Sequence, residues 1–259
     1  MRFWPTVPLT VAVRYGVLAL PLMAAAICSA RVLTPSEALD LYLAEQGNER
    51  PACSESVFGV RIEASLPALK KHGTMTGFKR IAQPGQIAYR GLRFTGDNLV
   101  KNQIISRFIA HETDPPKQAG DVSVTPANYI FRFDKEADYN GLTAYVFFLK
   151  PRRKRAWLFR GELWLNAETA APLRVWGDLV KSPSVFIRSF RFVQDYQMVR
   201  GCTEPLRLVL TARTRFAGTA EMTVWLRPVS EETEAAAASK ALPNLTMEAK
   251  QQNEDNDRR

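Results

Sequence analysis

The chain has 259 residues, of which 46% are hydrophobic and 24% charged. This balance excludes an intrinsically disordered protein and predicts one large or two small globular domains. The formal net charge is +9 at pH 7; residues 1–30 contribute +2 and residues 230–259 contribute −3, which leaves +10 on residues 31–229.

Residues 1–30 have the layout of a secretory signal peptide. Arg2 and Arg14 precede an apolar run from Tyr15 to Ile27, and the small residues Ser29 and Ala30 follow it. The run is shorter than the roughly 20 residues that a spanning helix needs. An uncleaved anchor and lipidation at Cys28 are the alternatives, and all three predict export. A basic exported domain faces anionic lipid or cell-wall polymer rather than nucleic acid.

The C-terminal segment and the cysteines give no sign of a catalytic or metal-binding site. Residues 230–259 are rich in Glu, Ala, Asn and Gln, which predicts a disordered polar tail. Cys53 and Cys202 are the two cysteines beyond the signal, and in an oxidising compartment we expect them to form one disulfide. A metal site or a nucleophilic thiol would need further ligands or a base, and His72 and His111 are the chain's two histidines.

The segment after the signal begins with an amphipathic helix. Thr34 and Glu37 form a capping-box pattern around Pro35, and Gly47 marks the end of the helix. Three apolar residues recur at helical spacing within it: Leu39, Tyr42 and Leu43. We expect the apolar side of this helix to pack against another part of the fold.

Short runs of period-two patterning follow almost to the tail. Four runs in residues 57–112, including "NQIISRFIAH" at 102–111, predict four strands. Residues 113–128 predict a long loop or short helical cover, with a domain linker as the alternative. Seven runs in residues 129–229 predict seven more strands, with a hairpin at Asn140-Gly141. In the sixth of these seven runs, residues 206–216, the apolar face includes Leu208, Leu210 and Phe216.

About eleven antiparallel strands with one helix in front are too many for a flat sheet and too helix-poor for an α/β fold. The predicted class is therefore mainly β: a curved antiparallel sheet or half-open β-barrel in one domain over residues 31–229, covered by the N-terminal helix. The run "AYVFFLK" at 144–150 is apolar on both faces, so we expect that part of the sheet to be covered twice.

A family resemblance rests on the segment from Asn128 to Tyr196. It runs from Asn140-Gly141 through "FRGELWLNAET" and "APLRVWGDLVKSPS" to "VQDY", and it resembles the LolA/LolB-like outer-membrane lipoprotein-sorting proteins of the periplasm. The resemblance implies a half-open barrel around a lid helix, with an apolar cavity that accepts acyl chains. It also implies a periplasmic or envelope-surface location in a Gram-negative-type bacterium.

Two groups of residues are candidates for binding. Aromatic residues at alternate positions of neighbouring strands would line a cavity or fill a core: Tyr129, Phe131, Phe133, Tyr145, Phe147, Trp164, Phe190 and Phe192, with Leu39, Tyr42 and Leu43 on the lid. A basic turn before an apolar cluster would form either a solvated turn or a rim that contacts anionic membrane: Arg152, Arg153, Lys154, Arg155, Trp157 and Phe159.

Catalysis has no support in the sequence. It contains no G-x-S-x-G, H-E-x-x-H or phosphate-binding glycine loop, and Glu162, Glu168 and Asp178 are expected to be solvated rather than an acid/base pair. We therefore expect a monomeric, non-catalytic envelope protein, without cofactor or metal, that binds lipid or lipoprotein acyl chains. The alternative is a sensing or scaffold domain with a filled core, which binds a protein or anionic polymer through its basic surface.

Overall fold

The computed structural model describes residues 32–45, 56–83, 86–114, 122–182 and 184–230. The proposed signal peptide, Cys53 and the tail from residue 231 lie outside these ranges. The predictions made for them therefore stay predictions.

Ten strands of the described residues form one antiparallel sheet with the order β3-β2-β1-β10-β9-β8-β7-β6-β5-β4. The sheet is not closed, because β3 and β4 are its two edges. The strands are β1 (Ser56–Leu66), β2 (Lys71–Gln83), β3 (Gln86–Gly96), β4 (Tyr129–Tyr139), β5 (Leu142–Pro151), β6 (Phe159–Asn166), β7 (Pro172–Leu179), β8 (Ile187–Val199), β9 (Cys202–Thr214) and β10 (Thr219–Pro228).

The predicted fold class, a mainly β and half-open antiparallel sheet with a helical cover, is confirmed. Pairing of β1 with β10 joins the first three strands to the later seven, from Phe58↔Pro228 to Ser65↔Glu221. The two halves therefore belong to one sheet, and residues 113–128 are not a linker between separate sheets.

Helix α1 (Pro35–Glu45) begins at the predicted capping box. The Thr34 N–H donates to Glu37 Oε2 at 2.8 Å, and the Glu37 N–H donates to Thr34 Oγ1 at 3.3 Å. Two otherwise unpaired N–H groups of the first turn are thereby satisfied, as a capping box requires.

The strand predicted at 102–111 is wrong. Asn98 to Thr113 is helical, as α2 (Asn98–Val100), a π-helical turn (Lys101–Ile105) and α3 (Ser106–Thr113). Asp97 caps it by accepting a hydrogen bond from the Leu99 N–H at 2.8 Å. The apolar residues of this segment recur at helical spacing, and they face the sheet: Val100, Ile104, Ile105, Phe108 and Ile109. The described part of the chain thus holds ten strands instead of eleven, and a second helical cover.

Two apolar cores lie on the same face of the sheet, which we call the inner face. One lies between α1 and strands β4–β8, with Tyr129, Phe147 and Leu163 at its centre. The other lies between the α2–α3 segment and strands β1, β2, β9 and β10, with Phe58, Ile62 and Met75 buried in it. Phe192 of the first core pairs with Leu210 beside the second, so the inner face is continuous.

The outer face of β5 is covered without a helix. Ala144 and Val146 are fully buried there, and Val146 is flanked by Lys135 of β4 and Trp164 of β6. Cross-strand neighbours with large side chains therefore supply the second cover predicted for "AYVFFLK".

Candidate lipid-binding face

The inner face of β4–β8 gathers most of the predicted aromatic residues. Tyr129, Tyr145 and Phe147 are buried, and Phe131 and Phe192 are partly buried against them. Strand alternation puts Phe190 on the same face as Phe192. Phe133 lies at the open edge, where 43% of its surface is exposed.

Trp164 does not belong to this group. Leu163 and Leu165 are buried on the inner face, so alternation turns Trp164 outward. Its indole N–H donates to Glu162 Oε2 at 2.9 Å, and its ring lies 6.1 Å from that of Tyr139. A buried indole N–H usually has a hydrogen-bond partner, and Glu162 supplies it on the outer face.

The inner-face aromatics form ring contacts across the strands. Phe133 meets the edges of Tyr145 and Phe147 at 6.1 and 5.8 Å between ring centroids. Phe159 contacts Tyr129 at 5.1 Å and Phe192 at 4.8 Å. These contacts form two groups of rings, which belong to one apolar core beneath α1, and Phe133 is the ring that is exposed to solvent.

Helix α1 covers this surface mainly through apolar contacts. Ala38 and Tyr42 are buried against it, while Leu39 and Leu43 are partly buried. The predicted lid residues thus face the aromatic cluster.

Two hydrogen bonds attach the segment before α1 to the sheet. The Leu33 N–H donates to the Ala167 carbonyl at 2.9 Å, and the Tyr145 hydroxyl donates to the Leu33 carbonyl. Both bonds precede the first helical turn, and side-chain packing adds to them along the helix.

The α2–α3 segment is held differently. Lys79 of β2 is buried beneath α3, and its Nζ lies 2.8 and 2.9 Å from the two carboxylate oxygens of Glu112. The Tyr89 hydroxyl donates to the same carboxylate. A buried ion pair resists separation because either charge alone would be costly in the interior. Separation of α3 from the sheet would therefore expose a buried charge.

The buried core of the candidate face contains no charged side chain, and Glu136 lies opposite Tyr145 at the exposed edge strand. The core beneath α1 consists of apolar residues and tyrosines. Burial raises the pKa of Tyr129 to about 12, although the Phe159 N–H that donates to its hydroxyl opposes the shift. Burial also raises the pKa of Tyr42. These tyrosines stay neutral, as an apolar ligand would require.

The basic turn between β5 and β6 departs from the prediction in one of its aromatic residues. Arg152, Arg153 and Lys154 are exposed, but Phe159 is buried in the inner core. Trp157 stacks on His111 of α3 at 4.5 Å between ring centroids. Phe159 therefore belongs to the core and not to a membrane rim, whereas membrane contact of the partly buried Trp157 stays a prediction.

Two of the three carboxylates considered for acid/base chemistry, Glu162 and Asp178, have structural partners. Glu162 Oε2 accepts the indole N–H groups of both Trp164 and Trp176 at 2.9 Å. Asp178 pairs with Arg191 through two hydrogen bonds of 2.9 and 2.8 Å. Among the described residues no three His, Cys, Asp or Glu side chains are placed to hold a metal ion.

A buried carboxylate on the outer face was not predicted. Asp195 accepts hydrogen bonds from Arg174 Nε at 2.6 Å, Arg207 at 3.0 and 2.8 Å, and the Tyr139 hydroxyl at 3.1 Å. Four strands meet at this one side chain. The signal in the sequence is alternation, which puts Arg174, Asp195 and Arg207 on one face, but the register between the strands decides their contact.

No family model and no curated protein matches the sequence. Solved structures similar to the chain include a DUF1329 family protein from Desulfovibrio piger, with 9% identity, TM-score 0.39, and 75% of this chain and 92% of that chain covered. A putative outer-membrane lipoprotein-sorting protein domain from Vibrio parahaemolyticus has 12% identity, TM-score 0.37, and coverage of 77% and 96%. A LolA superfamily protein from Nitrosomonas europaea has 10% identity, TM-score 0.33, and coverage of 74% and 95%. Two of these structures thus belong to the lipoprotein-sorting group that the sequence resembles.

None of the helices in the described ranges is long and apolar enough to cross a membrane.

Proposed function

We propose that this chain is a non-catalytic protein of the bacterial envelope that binds a lipid or lipoprotein acyl chain between α1 and the aromatic face of β4–β8. One observation carries the proposal: a buried apolar surface rich in aromatic residues lies beneath a single short helix, α1, which packs on it through Ala38, Tyr42 and neighbouring leucines. An acyl chain gains about 0.8 kcal/mol per buried methylene, which compensates for the contacts that α1 would lose.

In this proposal Phe133 stands at the entrance. Its ring is exposed on one side and contacts Tyr145 and Phe147 on the other, so it marks the path from solvent to the buried surface. The lid residues Tyr42 and Leu43 would leave the face as the chain enters.

The test is binding of palmitate to the wild type and to Phe133→Arg. We expect the substitution to weaken binding at least tenfold, because a guanidinium at the entrance must be desolvated when an apolar chain passes. Ile130→Arg is the matched control, since Ile130 lies on the same strand with similar exposure, 45%, but on the opposite face. Circular dichroism would show that both variants keep the wild-type melting temperature within a few degrees.

Equal palmitate affinity of Phe133→Arg and Ile130→Arg would contradict the proposal. A wild type that binds no palmitate and carries no lipid when purified from cell envelopes would contradict it as well. That outcome would favour the second candidate, a scaffold or sensing domain with a filled core. The near-complete burial of Tyr129, Tyr145 and Phe147 supports this alternative.

A further inference from the structure

Three of the most exposed apolar side chains of the described residues lie together at one end of the sheet. Val185 is 76% exposed, Phe186 62% and Phe216 84%. Val185 and Phe186 precede β8, Phe216 follows β9, and the two phenyl rings are 6.3 Å apart between centroids. We call these three residues the apolar tip.

The backbone beneath the tip holds it in place. Arg215 joins its two halves, since its N–H donates to the Phe186 carbonyl at 2.9 Å and its Nε donates to the Val185 carbonyl at 2.6 Å. The Thr214 hydroxyl closes the other turn by donating to the Gly218 carbonyl at 2.8 Å. Arg215, Thr214 and the backbone carbonyls of the two turns are thus hydrogen-bonded to each other, whereas the apolar side chains of the tip point into solvent.

The surroundings of the tip are positively charged. Lys181, Arg188, Arg213 and Arg215 are exposed, and none of them forms an ion pair with a carboxylate of the described residues. Residues 179–190 and 212–220 contain no Asp or Glu. An apolar tip in a ring of unpaired cations matches an anionic bilayer surface, whose head groups attract the cations while its acyl region accepts the rings.

The basic turn after β5 lies at the same end. In an antiparallel meander alternate connections share an end, which puts the β5–β6, β7–β8 and β9–β10 connections side by side. A hydrogen bond of 2.9 Å from the Val180 N–H to the Leu158 carbonyl links the first two. Arg152, Arg153 and Lys154 therefore extend the same cationic surface.

We propose that the apolar tip is a membrane-docking site, which inserts Val185, Phe186 and Phe216 into anionic lipid while the surrounding basic residues bind its head groups. This inference stands apart from the acyl-chain face, because none of the three tip residues belongs to the core beneath α1.

The test is sedimentation of the full chain with vesicles of phosphatidylcholine alone or mixed with phosphatidylglycerol. We expect wild type to bind the mixed vesicles. The affinity of Phe186→Ser/Phe216→Ser for them should be more than tenfold lower, since burial of each aromatic ring raises the affinity on the order of tenfold. The control is Leu142→Ser/Met198→Ser, which removes two exposed apolar side chains at the opposite end of the sheet. Lys181→Gln/Arg188→Gln should lower binding to mixed vesicles by about fivefold for each charge and leave binding to phosphatidylcholine unchanged.

Three outcomes would overturn the proposal. The first is a wild type that does not sediment with mixed vesicles, and the second is a phenylalanine variant that binds them as well as wild type does. Loss of a dimer in the phenylalanine variant without vesicle binding would show that the tip contacts a second copy. Palmitate binding is unaffected by these outcomes, so failure here and failure of the acyl-chain proposal are distinguishable.

Discussion

At the scale of single residues, Asp195 illustrates how a buried charge is made stable. Only 2% of its surface is exposed, and Arg174, Arg207 and Tyr139 satisfy its carboxylate. Burial alone would raise the pKa of Asp195, but the hydrogen bonds from the two arginines outweigh burial and hold the pKa below its usual value.

Replacing Asp195 by Asn should therefore destabilise the fold by about 2–4 kcal/mol at neutral pH, since the arginines lose their counter-charge. A lowered folded-state pKa stabilises the protein above the unfolded pKa of about 4, and this contribution is lost as the pH falls through the folded value. The difference between wild type and Asp195→Asn should thus shrink in acid. Urea unfolding at pH 7 and near pH 3 measures it.

The control for this prediction is Asp178→Asn, because Asp178 forms an exposed pair with Arg191 and should cost less than about 1 kcal/mol. A difference for Asp195→Asn that is as large in acid as at neutral pH would mean that packing, and not charge, is responsible.

Single residues also mark where the sequence was misread. Alternation along neighbouring strands predicts Trp164 on the inner face, and the basic turn predicts Phe159 at a membrane rim. The register of β6 instead puts Trp164 on the outer face and Phe159 in the inner core. Phe159 is an even number of positions from Leu163 along β6 and therefore lies on the same face, whereas Trp164 is one position away and lies on the other face. The exposed rings of Phe186 and Phe216 could not be predicted, because Phe216 continues the apolar alternation of β9 in the sequence while the strand ends at Thr214.

At the scale of elements, the buried pair of Lys79 and Glu112 fixes α3 on the sheet. The Lys79 side chain is 6% exposed, so Glu112→Gln would leave an ammonium without its counter-charge in the core. We expect a loss of about 3–5 kcal/mol of unfolding free energy, and recovery of much of it in Lys79→Met/Glu112→Leu. Urea denaturation of the single and double variants measures both.

Glu63→Gln is the matched control, since Glu63 pairs with Arg61 at the surface and should change stability by less than about 1 kcal/mol. If Glu112→Gln were as harmless as Glu63→Gln, the buried pair would not be what holds α3.

The elements themselves were mostly readable from the sequence. Helix α1 starts at its predicted capping box, and the β4–β5 hairpin turns at Asn140-Gly141, where the φ angles of 54° and 83° suit a type I′ turn. The helix at 98–113 was missed because its middle, "NQIISRFIAH", is too short to separate period two from period 3.6. Its capping residue, Asp97, was the available signal.

At the scale of the whole molecule, the pairing of β1 with β10 brings distant parts of the chain together. Ser56 donates to Glu204 Oε1 at 3.1 Å, and buried Cys202 opens β9 two residues earlier. Cys53 precedes Ser56 by three residues, a reach of at most about 10 Å of extended chain. The predicted disulfide between Cys53 and Cys202 is compatible with this register.

The topology could be predicted only in part. A meander from β4 to β10 follows from hairpin signals in chain order, but the pairing of β1 with β10 joins residues more than 150 positions apart, and no local pattern encodes it. That pairing makes one sheet, and both helical covers pack on its inner face.

The most direct test of this account is amide hydrogen exchange with and without palmitate. The account predicts that palmitate speeds exchange of the amides from Leu39 to Glu45 in α1, leaves α3 unchanged, and has no effect on α1 in Phe133→Arg. Palmitate that binds while α1 keeps or gains protection would contradict it, because the helix would then be a fixed part of the core.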